Sequence, residues 1–254
     1  MNPLLVCSKS TRDFLPGFKR VRIISSAPTK DILDEVGTEE DVIAIGGGAV
    51  IDTAKILSKN PIRCYPTTAA GSSSTSWSVY WDGTKKCSLK RMIPGDVILN
   101  GMFVEKLSEE IVMSTTCDVV SHCLDSMSSK KATDKSVGYC KEALDIIRNK
   151  KDNFDLINAG NIAGKAIEIA GTNLLHSLSY PLTGHYGISH GMALGYFLPK
   201  LSKFMGHDVD DIIGKYKIQL DFDLDFVIEE ALKYEKIYEV NKFISNTILL
   251  EVLK

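Results

Sequence analysis

Histidine is scarce in this chain, with five in 254 residues, and tryptophan occurs twice. Neither sign of charge is in excess: 30 Lys and Arg stand against 32 Asp and Glu, for a net charge of −2. That balance removes the basic footprint a nucleic-acid binder needs. No apolar run approaches the roughly 18 residues required to cross a bilayer. The N-terminus, MNPLLVCSKSTRDF, has a short apolar core and no small-residue cleavage pattern, so no signal peptide is expected. The six cysteines (Cys7, Cys64, Cys87, Cys117, Cys123, Cys140) are scattered and form no CxxC pair. They read as reduced core residues, and a cytoplasmic location is the expectation. What remains is an ordinary globular composition, 44% hydrophobic and 24% charged, long enough for two smaller domains.

In the first hundred residues, short apolar runs alternate with helical segments. Leu4–Cys7, Val21–Ser25, Val42–Ile45 and Ile62–Tyr65 read as strands, with helices over Lys30–Val36 and Ala49–Lys59 and a last strand over Pro94–Asn100. That alternation predicts βαβ units and a parallel, Rossmann-like sheet, with ligands at the carboxyl ends of its strands. From Val104 onward the periodicity is helical. Helices are expected over Ser108–Ser128, Lys135–Ile147, Asn158–Tyr180 (one long element) and His190–Phe204, followed by two or three amphipathic segments in Asp223–Leu253. The fold class is therefore an α/β domain, residues 1–102, followed by an all-α domain, residues 103–254.

Three stretches carry chemistry. IAIGGGAVIDTAK, residues 43–55, sets three glycines (Gly46, Gly47, Gly48) between a strand and a helix, where exposed N–H groups and the helix N-terminus suit an anion such as a phosphate. Asp52 lies one turn into that helix, able to favour its N-terminus or to face a ligand. PTTAAGSSSTSWSVYWD, residues 66–82, offers hydroxyls (Thr67, Thr68, Ser72, Ser73, Ser74) after the next strand. The third is HSLSYPLTGHYGISH, residues 176–190, which holds three of the five histidines and reads as a turn-rich loop bracketed by His176 and His190. Upstream, DVVSH spaces Asp118 and His122 by four, which stacks both side chains on one helix face. One carboxylate and three imidazoles suit a borderline divalent ion such as Fe(II) or Zn(II), not Mg or Ca.

Taken together and in this order, GGGAVIDTAK, PTTAAGSSSTSWSV, DVVSH and HSLSYPLTGHYGISHG resemble the iron-containing (group III) alcohol dehydrogenase family, over roughly residues 42–199. WSVYWDGTKKCSL and HSLSYPLT look most like its phosphonoacetaldehyde reductase-like branch. The resemblance implies the architecture shared with the dehydroquinate synthases, an Fe(II) or Zn(II) ion held by Asp118, His122, His176 and His190, and hydride exchange with NAD(P)(H). It places the cofactor against Gly47, Gly48, Ala49, Asp52, Thr67, Thr68, Gly71 and Lys86. Tyr180 occupies a position where many members carry another histidine near the reactive centre; a phenol there could relay a proton, or it could equally be a core tyrosine with a satisfied hydroxyl. The implied reaction interconverts a small aldehyde and a primary alcohol, with phosphonoacetaldehyde and 2-hydroxyethylphosphonate as one pair. Lys85, Lys86, Lys90 and Arg91 form a basic cluster that could neutralise a phosphonate. A solvated basic turn is the other explanation for it. His185 is off the family's ligand pattern, and His207, beside an acidic run, reads as solvated.

The sequence also departs from the family. The adenosine-cradling segment between the first and third strands is short, Cys7-Ser8-Lys9 stands where an Asp for the ribose is common, and Ser74 stands where a Glu is usual. Lysine near the ribose favours NADP(H) over NAD(H). A thinned sheet points to a homodimer. Two other readings stay open: an enzyme resembling glycerol-1-phosphate dehydrogenase or the dehydroquinate synthases, and a metal-binding relative without catalysis.

Overall fold

The computed structural model describes residues 2–254. Strands β1 (Leu4–Cys7), β2 (Arg20–Ile23), β3 (Val42–Gly46) and β4 (Arg63–Pro66) form a parallel sheet with a two-residue β7 (Asp96–Val97), in the order β2-β1-β3-β4-β7. Every residue of β1 is buried, as expected of an all-apolar central strand covered on both faces. Strand order reverses between β1 and β3. The crevice at their carboxyl ends is where parallel sheets bind ligands, and the Gly46–Gly48 turn into α1 (Gly48–Leu57) opens there.

Two expectations for this part of the chain change. Lys30–Glu35 is a 3-10 helix, and the expected strand over Pro94–Asn100 pairs with β4 only at Asp96 and Val97. The Ser-rich segment is irregular only as far as Ser76, and Ser72–Ser74 within it form a 3-10 helix. Beyond it, β5 (Trp77–Asp82) and β6 (Lys85–Lys90) form an antiparallel hairpin, whose turn carries Gly83 at φ 60°. Its alternating Trp77, Val79 and Trp81 is a period-two signal masked by the serines around it.

The helical part is α2 (Glu109–Met127), α3 (Asp134–Arg148), α4 (Asn153–Ala170), α5 (Leu174–Tyr186), α6 (His190–Phe204), α7 (Asp210–Ile213), α8 (Leu224–Ala231) and α9 (Asn246–Leu253). Helix α2 is its centre, buried without interruption from Thr115 to Ser126 and packed on α3, α4, α5 and α6. Ser108 caps it, its hydroxyl accepting from the Ile111 N–H, with Glu109 and Glu110 favouring the first turn.

The single helix expected over 158–180 is two helices. Helix α4 stops at Gly171, whose φ of 74° only glycine adopts without strain, and Asn173 starts α5 by accepting from the Leu174 N–H. The stretch expected as a turn-rich loop is mostly α5, which runs through Pro181, leaving 187–189 as the connection to α6. Among the described residues no helix is long and apolar enough to cross a membrane. All six cysteines are free, and five of them are buried.

Candidate metal centre

Asp118 and His122 project from the buried middle of α2, His176 from the first turn of α5, and His190 from the start of α6. Asp118 Oδ1 lies 3.4 Å from His122 Nε2, 3.6 Å from His176 Nε2 and 3.8 Å from His190 Nε2. Ligands held about 2.0–2.2 Å from one ion stand about 3.3–3.6 Å apart in a tetrahedral arrangement, so the spacing fits a divalent ion. Asp118, His176 and His190 form the tightest group, with ligand atoms all within 4.8 Å of one another, and His122 stacks on His176 at 4.7 Å. Asp118 Oδ1 and His176 Nε2 are buried with no hydrogen-bond partner among the described residues, a costly state unless both bind an ion.

The surroundings orient two of the three imidazoles, those of His176 and His190. Asp125, one turn beyond His122 on the same face of α2, accepts from His176 Nδ1 at 2.8 Å, which leaves Nε2 as a lone pair facing Asp118. The same carboxylate accepts the backbone N–H groups of Asn173 (2.8 Å), Leu175 (3.0 Å) and His176 (3.2 Å). Ser179 Oγ donates to the His176 carbonyl and lies 3.3 Å from His190 Nδ1, orienting the third imidazole. Burial pulls His122 down to about 4 and His190 well below its ordinary value, against the attraction of Asp118, so these rings stay neutral and able to ligate. Burial raises the Asp118 carboxyl, but His122, His176 and His190 together outweigh it and hold the group below the usual carboxylate range.

The cluster forms one end of a cavity of about 780 Å³, whose wall also includes Gly48, Ala49, Asp52, Ser72, Lys86 and Lys236. Of the residues the sequence assigns to the cofactor, Gly48, Ala49, Asp52 and Lys86 reach this wall. Gly47, Thr67, Thr68 and Gly71 lie behind it. Thr68 packs on Gly47, where a Cβ would sit 3.0 Å from its hydroxyl, and the Thr67 N–H donates to the Gly46 carbonyl. Gly71, at φ 74°, lies against His122, with room for a Cβ only 3.3 Å from Cε1. No side-chain hydrogen bond caps the start of α1, which leaves its first N–H groups open to an anion. Asp52 Oδ1 lies 3.2 Å from Lys55 Nζ, and burial raises its carboxyl despite that cation.

Tyr180 is buried behind the wall. Its hydroxyl bonds Lys236 Nζ, and Lys86 Nζ lies 4.0 Å from its ring centre. The Tyr180 hydroxyl, open to either role in the sequence, is thus satisfied by the Lys236 ammonium. Of the basic cluster, Lys86 alone turns inward onto the wall, while Arg91 bonds the Lys55 and Ser58 carbonyls at the end of α1. His185 packs on Phe226, away from the cluster. His207 is partly buried and lies 3.3 Å from Ser128 Oγ, not simply solvated. Asp125 and Lys236 were not singled out from the sequence. The signal for Asp125 was its place at i+7 from Asp118, whereas Lys236 reaches the site from a 3-10 helix sixty residues from α5's start and carries no local signal.

A family model for the C-terminal part of Fe-containing alcohol dehydrogenases matches residues 112–245, which include all four metal-site side chains. The chain belongs to the iron-containing alcohol dehydrogenase family. It is 26% identical to the 4-hydroxybutyrate dehydrogenase of Clostridium kluyveri over 212 residues, 68% of this chain and 57% of that protein. It is 26% identical to the phosphonoacetaldehyde reductase of Streptomyces viridochromogenes over 206 residues, 64% of this chain and 52% of that one. The chain thus spans little more than half the length of these curated relatives. Its fold is that of the family's solved structures. A sulfoacetaldehyde reductase from Bifidobacterium kashiwanohense in complex with NAD+ superposes with a TM-score of 0.84 at 20% identity, over 99% of this chain and 90% of that one.

Proposed function

We propose that the chain is a metal-dependent NAD(P)(H) oxidoreductase that interconverts a small aldehyde and a primary alcohol. The observation that carries this is the convergence of Asp118 Oδ1 with three imidazole Nε2 atoms at one end of a cavity that runs to the open N-terminus of α1. Asp118, His122, His176 and His190 would hold Fe(II) or Zn(II). That ion would supply Lewis-acid polarisation of an oxygen, and a bound nicotinamide would supply the hydride chemistry.

The chain's own groups do the rest. The first turn of α1, with Gly48 and Ala49, receives the cofactor phosphates, and Lys86 on the opposite hairpin adds a cation to the same cavity. Asp125 and Ser179 hold the imidazoles in their ligating tautomers, and Tyr180 is a positioning residue for the lysines. The exposed Lys9, just past β1, supports a preference for NADP(H) over NAD(H). The reading includes a homodimer, because β2 is an open sheet edge bearing the exposed Ile23, and a cytoplasmic location, because all six cysteines are free. Sedimentation would test the dimer.

The deciding experiment titrates NADPH and NADH by fluorescence on metal-reconstituted protein, beside Asp118→Ala and His190→Ala. Micromolar binding, with aldehyde-dependent NADPH oxidation lost in both variants, is the expected result. Stoichiometric metal with neither nucleotide bound would replace this reading with that of a metal-binding relative without hydride chemistry.

A further inference from the structure

Two ammonium groups on the cavity wall lack a carboxylate partner. Lys86 and Lys236 form no ion pair among the described residues. The cavity's other charges are accounted for. Asp52 is paired with Lys55, Glu239 with Lys131, Glu168 accepts from the Ser76 N–H and hydroxyl, and Asp118 belongs to the imidazole cluster. Lys236 Nζ instead contacts two hydroxyls, those of Thr172 and Tyr180. The two cations gather round one ring, with Lys86 Nζ 4.0 Å and Lys236 Nζ 4.7 Å from the Tyr180 centroid, and that ring stacks with His190 at 6.2 Å. Like charges held side by side away from bulk water oppose one another, and an anion between them reverses that cost.

Three separate elements bring the group together: the β6 strand supplies Lys86, the Glu235–Glu239 3-10 helix Lys236, and the α4–α5 break Thr172. Thr172, next to the break at Gly171, lines the cavity. Burial lowers both lysines, Lys86 to about 8, and a bound anion would restore them.

We propose that Lys236, with the Thr172 hydroxyl and Lys86 beside it, forms a subsite for an anionic group on the substrate, so that the enzyme's substrates are short aldehydes bearing a carboxylate, sulfonate or phosphonate at the far end. The proposal rests on the oxidoreductase reading for the aldehyde end and on the lysines for the anionic end. A bound acid of this kind places its charge beside Lys236 and its carbonyl towards His190, the two lying on the same ring's surroundings. Neutral aldehydes of equal length leave the lysines unanswered.

The test compares 4-oxobutanoate with butanal on the metal-loaded protein and on Lys236→Met and Lys236→Arg. The wild type should favour the anion in kcat/KM, and Lys236→Met should lower that preference about 10- to 100-fold, as for a lost charge-assisted hydrogen bond, with butanal altered about threefold or less. Lys236→Arg should keep most of the preference. Calorimetric titration with ethylphosphonate, which cannot react, supplies a readout independent of turnover. Its binding should weaken by a similar factor in Lys236→Met. Equal losses on both aldehydes, or ethylphosphonate binding unchanged by Lys236→Met, would overturn the subsite and leave the reductase reading standing. Lysine-dependent ethylphosphonate binding without turnover of any aldehyde would support the subsite and overturn the reductase reading.

Discussion

Asp125 does not touch the expected ion, yet four donors converge on its carboxylate, and one of them is the Nδ1–H that sets the His176 tautomer. An amide at this position keeps the size but cannot accept from every donor. Asp125→Asn should therefore weaken metal binding about 10- to 100-fold, as removal of an outer partner of a ligating histidine does. Competition with a chromogenic chelator would measure it, and unchanged affinity would show that His176 is oriented by packing alone. Lys86 gives a second prediction at this scale. Its ammonium is held at about 8 against an ordinary 10.5, so between those pH values the unfolded chain binds a proton that the folded one has released. Stability then rises with pH across that window, and the burial cost is fully present at pH 7. Lys86→Met should be the more stable protein at pH 7, with the difference closing by pH 10.5. Denaturant titrations of both proteins across that range check the sign.

At the scale of elements, the site depends on how closely α4 approaches the loop that follows β4. A Cβ on Gly160 would lie 2.4 Å from the Ala69 carbonyl oxygen, and one on Gly164 would lie 2.6 Å from that of Gly71. Gly71 in turn backs His122. Gly164→Ala should cost about 1–3 kcal/mol as an overpacked contact. It should also weaken metal binding, because the loop it displaces rests on a ligand. Thermal unfolding and metal titration of the same variant test both, and loss of stability alone would limit the glycine to packing. The sequence shows that these glycines permit a close approach. It does not show to what, since the partner lies ninety residues away. The same limit explains the misread third stretch. Pro181 and Gly184 look like turn residues, but Gly184 serves contact with the Thr84 carbonyl, and α5 continues through the proline inside a packed bundle. That Asp118 and His122 share one face of α2 was legible because their four-residue spacing is local. The partner of the Tyr180 hydroxyl was not legible, because nothing local reveals that Lys236 reaches it.

For the whole molecule, the parallel sheet and the helical bundle could be read from alternation and periodicity, while the β5–β6 hairpin between them could not. The candidate metal site draws on α2 and on the consecutive helices α5 and α6, so a bound ion would tie α2 to a helix pair that follows it only after α3 and α4. Adding Fe(II) or Zn(II) should raise the unfolding temperature, with a stabilisation of about 2.7 kcal/mol at a hundredfold excess over Kd. EDTA should reverse the effect, and His190→Ala should be nearly insensitive to metal. An equal shift in His190→Ala would move the stabilising ion elsewhere. In the same way, Lys236 and Glu239 bring the Glu235–Glu239 3-10 helix onto a wall that also draws on α1, the β5–β6 hairpin, α2 and α4.

The anchoring of α5 has a consequence for how quickly the site can exchange its ion. One carboxylate, that of Asp125, holds both the first N–H groups of α5 and the ring of His176. Fraying of that helical turn and release of the imidazole are therefore a single opening event. Amide hydrogen exchange at Leu175 and His176 should slow when metal is added, and the residual exchange rate should set the ceiling on spontaneous metal loss.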